Sequence, residues 1–100
     1  MWIKVNANIP KEGAMNEALV DGNDILIARS EGKLYCALNS CPHEDIKLTL
    51  GCIKDNRITC SLHGYSFSLN SGQSSDSDVE NLQMFGVKQE GNDIYIEVQQ

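Results

Sequence analysis

The sequence predicts an all-β fold, a sandwich or small barrel, on three observations. Short runs of β-branched and aromatic residues recur along the chain, residues with turn chemistry separate them, and helical patterning is almost absent. The runs fall at residues 2–5, 18–20, 24–29, 34–38, 57–59, 65–69, 83–88 and 94–98. The last alternates cleanly, with Ile94, Ile96 and Val98 on one face and Tyr95 and Glu97 on the other. Between the runs stand Asp21-Gly22-Asn23, Glu31-Gly32, Asp55-Asn56, Ser71-Gly72 and Glu90-Gly91-Asn92, all hairpin or turn material. Only residues 12–20 offer a helix, which Gly13 and Asn16 weaken. Residues 71–78 (Ser-Gly-Gln-Ser-Ser-Asp-Ser-Asp) read as a solvated loop.

One hundred residues suffice for one small domain, 1–100. Apolar residues at 41% and charged residues at 22% are globular proportions. Eight basic against fourteen acidic residues leave a net charge of −6. That surface repels phosphate backbones and anionic membrane, so no nucleic acid is expected, and it suits a partner with a basic patch. No stretch approaches the ~20 apolar residues of a membrane span, and residues 1–6 do not open a signal peptide. A cytoplasmic location is the expectation. In a reducing cytosol the cysteines at 36, 41, 52 and 60 read as ligands or core residues rather than a disulfide framework.

Alternation fades over residues 39–51 and again over 61–64, and there both histidines and two cysteines gather. The pattern is Cys41-Pro42-His43, sixteen residues, then Cys60-Ser61-Leu62-His63. Each half offers a soft thiolate and an imidazole, and a short excursion between them brings two loop tips face to face. Two thiolates and two imidazoles suit a tetrahedral zinc, which stays open as an occupant, giving a zinc-stapled interaction module. Zinc modules usually pair like ligands, however, and Cys41 and His43 are crowded for one metal. A [2Fe–2S] unit, with both cysteines on one iron and both histidines on the other, relieves that crowding.

With these two boxes the sequence resembles the Rieske iron–sulfur family. Gly64, Tyr65, Phe67 and Ser71-Gly72 extend the likeness, and Ile9-Pro10, Phe85-Gly86-Val87 and the segment from Gly91 to Ile96 carry it over nearly the whole chain. The resemblance implies a Rieske-like β-sandwich, with a small cluster-binding subdomain at about 38–70 inserted into it. Cys41, His43, Cys60 and His63 are then the cofactor and metal ligands of one [2Fe–2S] cluster. Two cysteinates cancel the charge of the oxidised core and neutral imidazoles add none, so reduction starts from a neutral site and the potential exceeds that of all-thiolate clusters.

Departures refine the placement. In high-potential members two further cysteines form a disulfide, and the matching positions here are Ile46 and Leu62. Ser and Tyr hydroxyls that stabilise the reduced cluster correspond to Tyr65 and Phe67, which removes at least the second. A potential at the low end of the family's range, near about −150 mV, is expected. No proline follows Gly72, where many members place one as a shield.

Cys36 reads as a core thiol; Cys52 reads as core or as an exposed redox-sensitive thiol. Glu44 and Asp45 are solvated residues or docking contacts. A mononuclear oxygenase iron needs further histidines, and both of this chain's are already assigned. The resemblance therefore implies a monomeric electron carrier with no catalytic residue of its own. It would dock transiently on a flavoprotein reductase fed by NAD(P)H and on an oxygenase, of the aromatic or alkene monooxygenase or ring-hydroxylating dioxygenase type. A small subunit of a nitrite-reductase-type enzyme is the other redox reading.

Overall fold

The computed structural model describes residues 1–42, 45–61 and 64–98. Among them are nine strands: β1 Trp2–Val5, β2 Met15–Val20, β3 Asn23–Ser30, β4 Lys33–Leu38, β5 Cys52–Lys54, β6 Arg57–Thr59, β7 Ser66–Ser68, β8 Met84–Glu90 and β9 Asp93–Glu97, with one 3₁₀ turn at Leu48–Leu50. Strands β1-β9-β8-β4-β3-β2 form a curled antiparallel sheet and β5-β6-β7 a small second one. The all-β expectation holds.

Turn chemistry sets the registers. The pairs Val20↔Asn23, Ser30↔Lys33 and Lys54↔Arg57 each bracket a two-residue loop. Both central residues have positive φ in all three: Asp21 51° and Gly22 81°, Glu31 51° and Gly32 77°, Asp55 54° and Asn56 58°. That handedness matches the right-handed twist of the flanking strands, which is why two residues suffice.

Strand β3 is covered on both sides and therefore reads as a continuous apolar run. Ile25 and Ile27 join Val5, Val20, Cys36, Ile94 and Ile96 inside the curl. Leu26 and Ala28 face outward and join Ala37, Cys41, Leu48, Ile58, Cys60, Phe67 and Leu69 beneath the small sheet. The large sheet thus supports two cores, and the second contains both box cysteines.

Two expectations change. The strand expected at 18–20 begins earlier, at Met15, so the weak helical option over 12–20 is not realised: β2 pairs with β3 from Met15↔Ala28 to Val20↔Asn23, and period-2 burial turns Ala18 and Val20 inward while Glu17 and Leu19 stay exposed. A full-length partner strand outweighs weak local propensity here. Strand β5 lies where no run was expected, because three residues with only Ile53 turned inward carry little pattern.

Candidate metal centre

The two boxes lie on loops of different origin. Cys41 follows β4 on the segment that crosses to the small sheet, and Cys60 directly follows β6 where the chain leaves the β6–β7 ladder. Both loops close in the same way. The Cys41 N–H donates to the Ile46 carbonyl at 2.9 Å and the Cys60 N–H to the Tyr65 carbonyl at 2.8 Å, each five residues on. Cys41 and Cys60 are 3% and 2% exposed and belong to one apolar cluster with Leu48, Ile58 and Phe67.

His43 and His63, together with Glu44 and Leu62, lie outside the described residues. Among the described residues no group of three metal-ligating side chains gathers, since two of the four expected ligands are not among them. The donor set still fits a cluster. Two thiolates in apolar surroundings are unfavourable unless a cation takes up their charge. A metal centre held between these loops would supply that cation, and no disulfide joins any of the four cysteines.

The other cysteines sort cleanly. Cys36 is wholly buried inside the curl, where burial pushes its thiol up to about 12, so it packs as an apolar side chain. Cys52 is exposed on β5, which removes the core reading for it. Ile46 packs against the outer core. Phe67 is fully buried at the position expected to lack a hydroxyl, and Tyr65 is half-buried beside the same core.

The segment after β7 is more ordered than a solvated loop. Ser74 forms an antiparallel bridge with Phe67, and the Ser75 N–H donates to the Ser66 carbonyl at 2.8 Å. Its polar side chains cap its own backbone: Ser71 Oγ accepts from the Gln73 N–H, Ser74 Oγ from Asp76 and Asp76 Oδ1 from Asp78. Arg57 clamps it to β7, donating to Ser66 Oγ at 3.0 Å and to the Ser66 and Gln73 carbonyls. Self-capping turns hold this loop where a proline would have stiffened it.

A polar group beside the first loop escaped the sequence reading. Asn39, 4% exposed, donates from Nδ2 to Glu17 Oε2 at 2.9 Å, Thr49 Oγ1 at 3.2 Å and Asp24 Oδ1 at 3.3 Å. Its Oδ1 accepts from the Thr49 N–H at 3.1 Å. The Thr49 hydroxyl also donates to Glu17. Lys47 Nζ closes the group from outside, 3.3 Å from Asp24 and 3.5 Å from Glu17.

The hydrogen bond from Thr49, then that from Asn39, then the Lys47 charge hold the Glu17 carboxyl below its ordinary 4.5. A depressed carboxyl contributes stability above its unfolded value and loses it as pH falls through the folded one. A Glu17→Gln variant is therefore expected to melt below the parent at pH 7, with the gap closing as pH drops below 4.5. Thermal unfolding from pH 7 to pH 3 reads this, and a pH-independent gap contradicts it.

Residues 1–86 match the Rieske [2Fe-2S] domain, and the chain belongs to that family. It is 29% identical over 100 residues to the ferredoxin component of the naphthalene 1,2-dioxygenase system of Pseudomonas aeruginosa, covering 97% of this chain and 95% of that protein. It is 29% identical over 86 residues to the ferredoxin component of the alkene monooxygenase system of Xanthobacter autotrophicus, covering 85% of this chain and 70% of that one. Human apoptosis-inducing factor 3 is 26% identical over 87 residues, of which the chain spans only 14% of the length. Among solved structures, the ferredoxin of carbazole 1,9a-dioxygenase from Nocardioides aromaticivorans superposes with a TM-score of 0.87 at 23% identity, over 99% of both chains. A carbazole 1,9a-dioxygenase complex of oxygenase and ferredoxin gives a TM-score of 0.83 at 22% identity, over 95% of this chain and 91% of the matched one. These two likenesses establish the fold. No helix among the described residues is long and apolar enough to cross a membrane.

Proposed function

We propose that this chain is a one-electron carrier that passes electrons from an NAD(P)H-dependent flavoprotein reductase to an oxygenase in the cytoplasm. Cys41 and Cys60 hold one iron of a [2Fe–2S] cluster and His43 and His63 the other. The observation that carries this is the pair of buried thiols on two identically closed loops. The near full-length match to a stand-alone ferredoxin component supports it. In this reading residues 1–100 are one domain, with 38–70 as its cluster-binding part.

When bound, the cluster supplies reversible one-electron transfer. The chain's own residues set its surroundings. Leu48, Ile58 and Phe67 keep water from the cysteine side. Phe67 offers no hydroxyl to a cluster sulfur, which leaves the reduced state less stabilised and the potential near the family's lower limit of about −150 mV. The chain's net charge of −6 favours brief, salt-sensitive docking on basic surfaces of both partners.

Metal and sulfide analysis of the purified protein tests the assignment. Two irons and two acid-labile sulfides per chain, with a midpoint potential at the low end of the Rieske range, are the expected results. One zinc and no sulfide in anaerobically purified protein replaces the carrier with a zinc-stapled module, and a clearly positive potential overturns the account of Phe67.

A further inference from the structure

The two loops differ at their necks. The second is flanked by β6 and β7, whose Thr59↔Ser66 pair is a rung of a ladder ending at the loop. The first runs from β4 in the large sheet to β5 in the small one, so no ladder joins the residues that enter and leave it. A loop of residues 39–51 without such a base would open easily, and Cys41 would move with it.

We infer that Asn39 is the positioning residue that closes this neck, doing with one side chain what a strand pair does for the second loop. Its carboxamide reaches across the loop to both the N–H and the hydroxyl of Thr49, and downward to Glu17 on β2 and Asp24 on β3. Its own N–H donates to the Asp24 carbonyl at 2.9 Å, so main chain and side chain grip the same strand. With Ser30, Asn39 is one of two buried polar residues among those described. A side chain that gathers four hydrogen-bonding atoms from three segments is holding those segments in register.

The chemistry suits the position. An amide presents donors to two carboxylates and an acceptor to an N–H in one rigid plane. An apolar side chain would strand the Thr49 N–H, and a carboxylate would set a third negative charge beside Glu17 and Asp24. The functional weight of this clasp rests on the proposed ligation by Cys41; the clasp itself rests on geometry.

Hydrogen–deuterium exchange of the iron-loaded protein, read by mass spectrometry, tests it. In Asn39→Ala, exchange in residues 39–51 is expected to accelerate about tenfold or more, a tenfold change corresponding to about 1.4 kcal/mol. Exchange in residues 57–69 and in β3 stays at the parent rate. Thr49→Val is expected to show the same confined acceleration at smaller amplitude, and it carries the comparison if Asn39→Ala does not fold. Thr49→Ser keeps the hydroxyl and restores parent exchange. The electron paramagnetic resonance spectrum of the reduced protein shifts in Asn39→Ala and matches the parent in Thr49→Ser. Acceleration by one factor across all segments, or none in 39–51, overturns the clasp. A parent protein without sulfide overturns the cluster proposal instead, and the exchange comparison still decides on the clasp.

Discussion

A Cys60→Ser variant is expected to purify without the iron–sulfur colour of the parent, with essentially no iron and no sulfide. Cys60 is 2% exposed in an apolar cluster, so no solvent ligand reaches in to replace it. A serine hydroxyl is neutral at pH 7, and in the proposed ligation Cys41 alone would not balance the charge of the metal core. Because a bound centre stabilises only the folded chain, its loss also costs stability, about 3–4 kcal/mol for a site held at hundreds of times its dissociation constant. In a domain of this size that lowers the melting temperature by roughly 12 °C or more. Cys52→Ser and Cys36→Ala are the controls. The first alters an exposed edge and the second a different core, so both are expected to keep the parent's iron and sulfide content. A Cys60→Ser protein that retains two irons, assayed beside these controls, removes Cys60 from the ligand set.

Gly51→Ala is expected to be as damaging, although Gly51 ligates nothing. A Cβ at this position would stand 1.9 Å from the Thr59 carbonyl oxygen and 3.3 Å from that of Leu48. Both are backbone atoms, so no rotamer change relieves the overlap. Relief requires β5 to draw away from β6 at the Cys52↔Thr59 pair, next to Cys60. Overpacking of this kind costs about 3 kcal/mol at the upper end of its usual range, and the rigidity of the backbone places Gly51→Ala there. Thermal unfolding is expected roughly 12 °C or more below the parent, with iron content reduced because the two loops no longer meet. Gly13→Ala provides the contrast: its Cβ meets nothing within 4 Å, leaving only the strain of a φ of 79°. A Gly51→Ala protein with parental melting and iron content contradicts the close approach.

What was legible in the chain follows from how local each cause is. The β9 alternation and the Asp21-Gly22, Glu31-Gly32 and Asp55-Asn56 turns are written in neighbouring residues and are found where expected. The boxes were legible because soft thiolates and imidazoles at mixed spacing have few other uses. The first half of β2, Met15 to Glu17, was obscured because its place in the strand becomes visible only against β3. Gly51 has an unremarkable φ of −90°, so its sequence gives no sign that a carbonyl from a different strand presses on it. Asn39 hid for the same reason, its partners lying as far as 22 positions away. The order of residues 71–78 was legible in principle, since Ser71, Ser74 and Asp76 each stand two residues before the N–H they cap.

The excursion between the boxes combines a crossing loop, which has no register, with the β5–β6 hairpin, which has one. These parts tolerate changes in length differently. One residue added to a hairpin arm would turn the paired Ile53 and Ile58 away from the outer core, whereas two would leave the same side chains inward. The crossing loop carries no such parity beyond the Asn39–Thr49 closure. A single residue inserted in a hairpin arm is therefore expected to cost more stability than one inserted in the crossing loop, unless a bulge absorbs it.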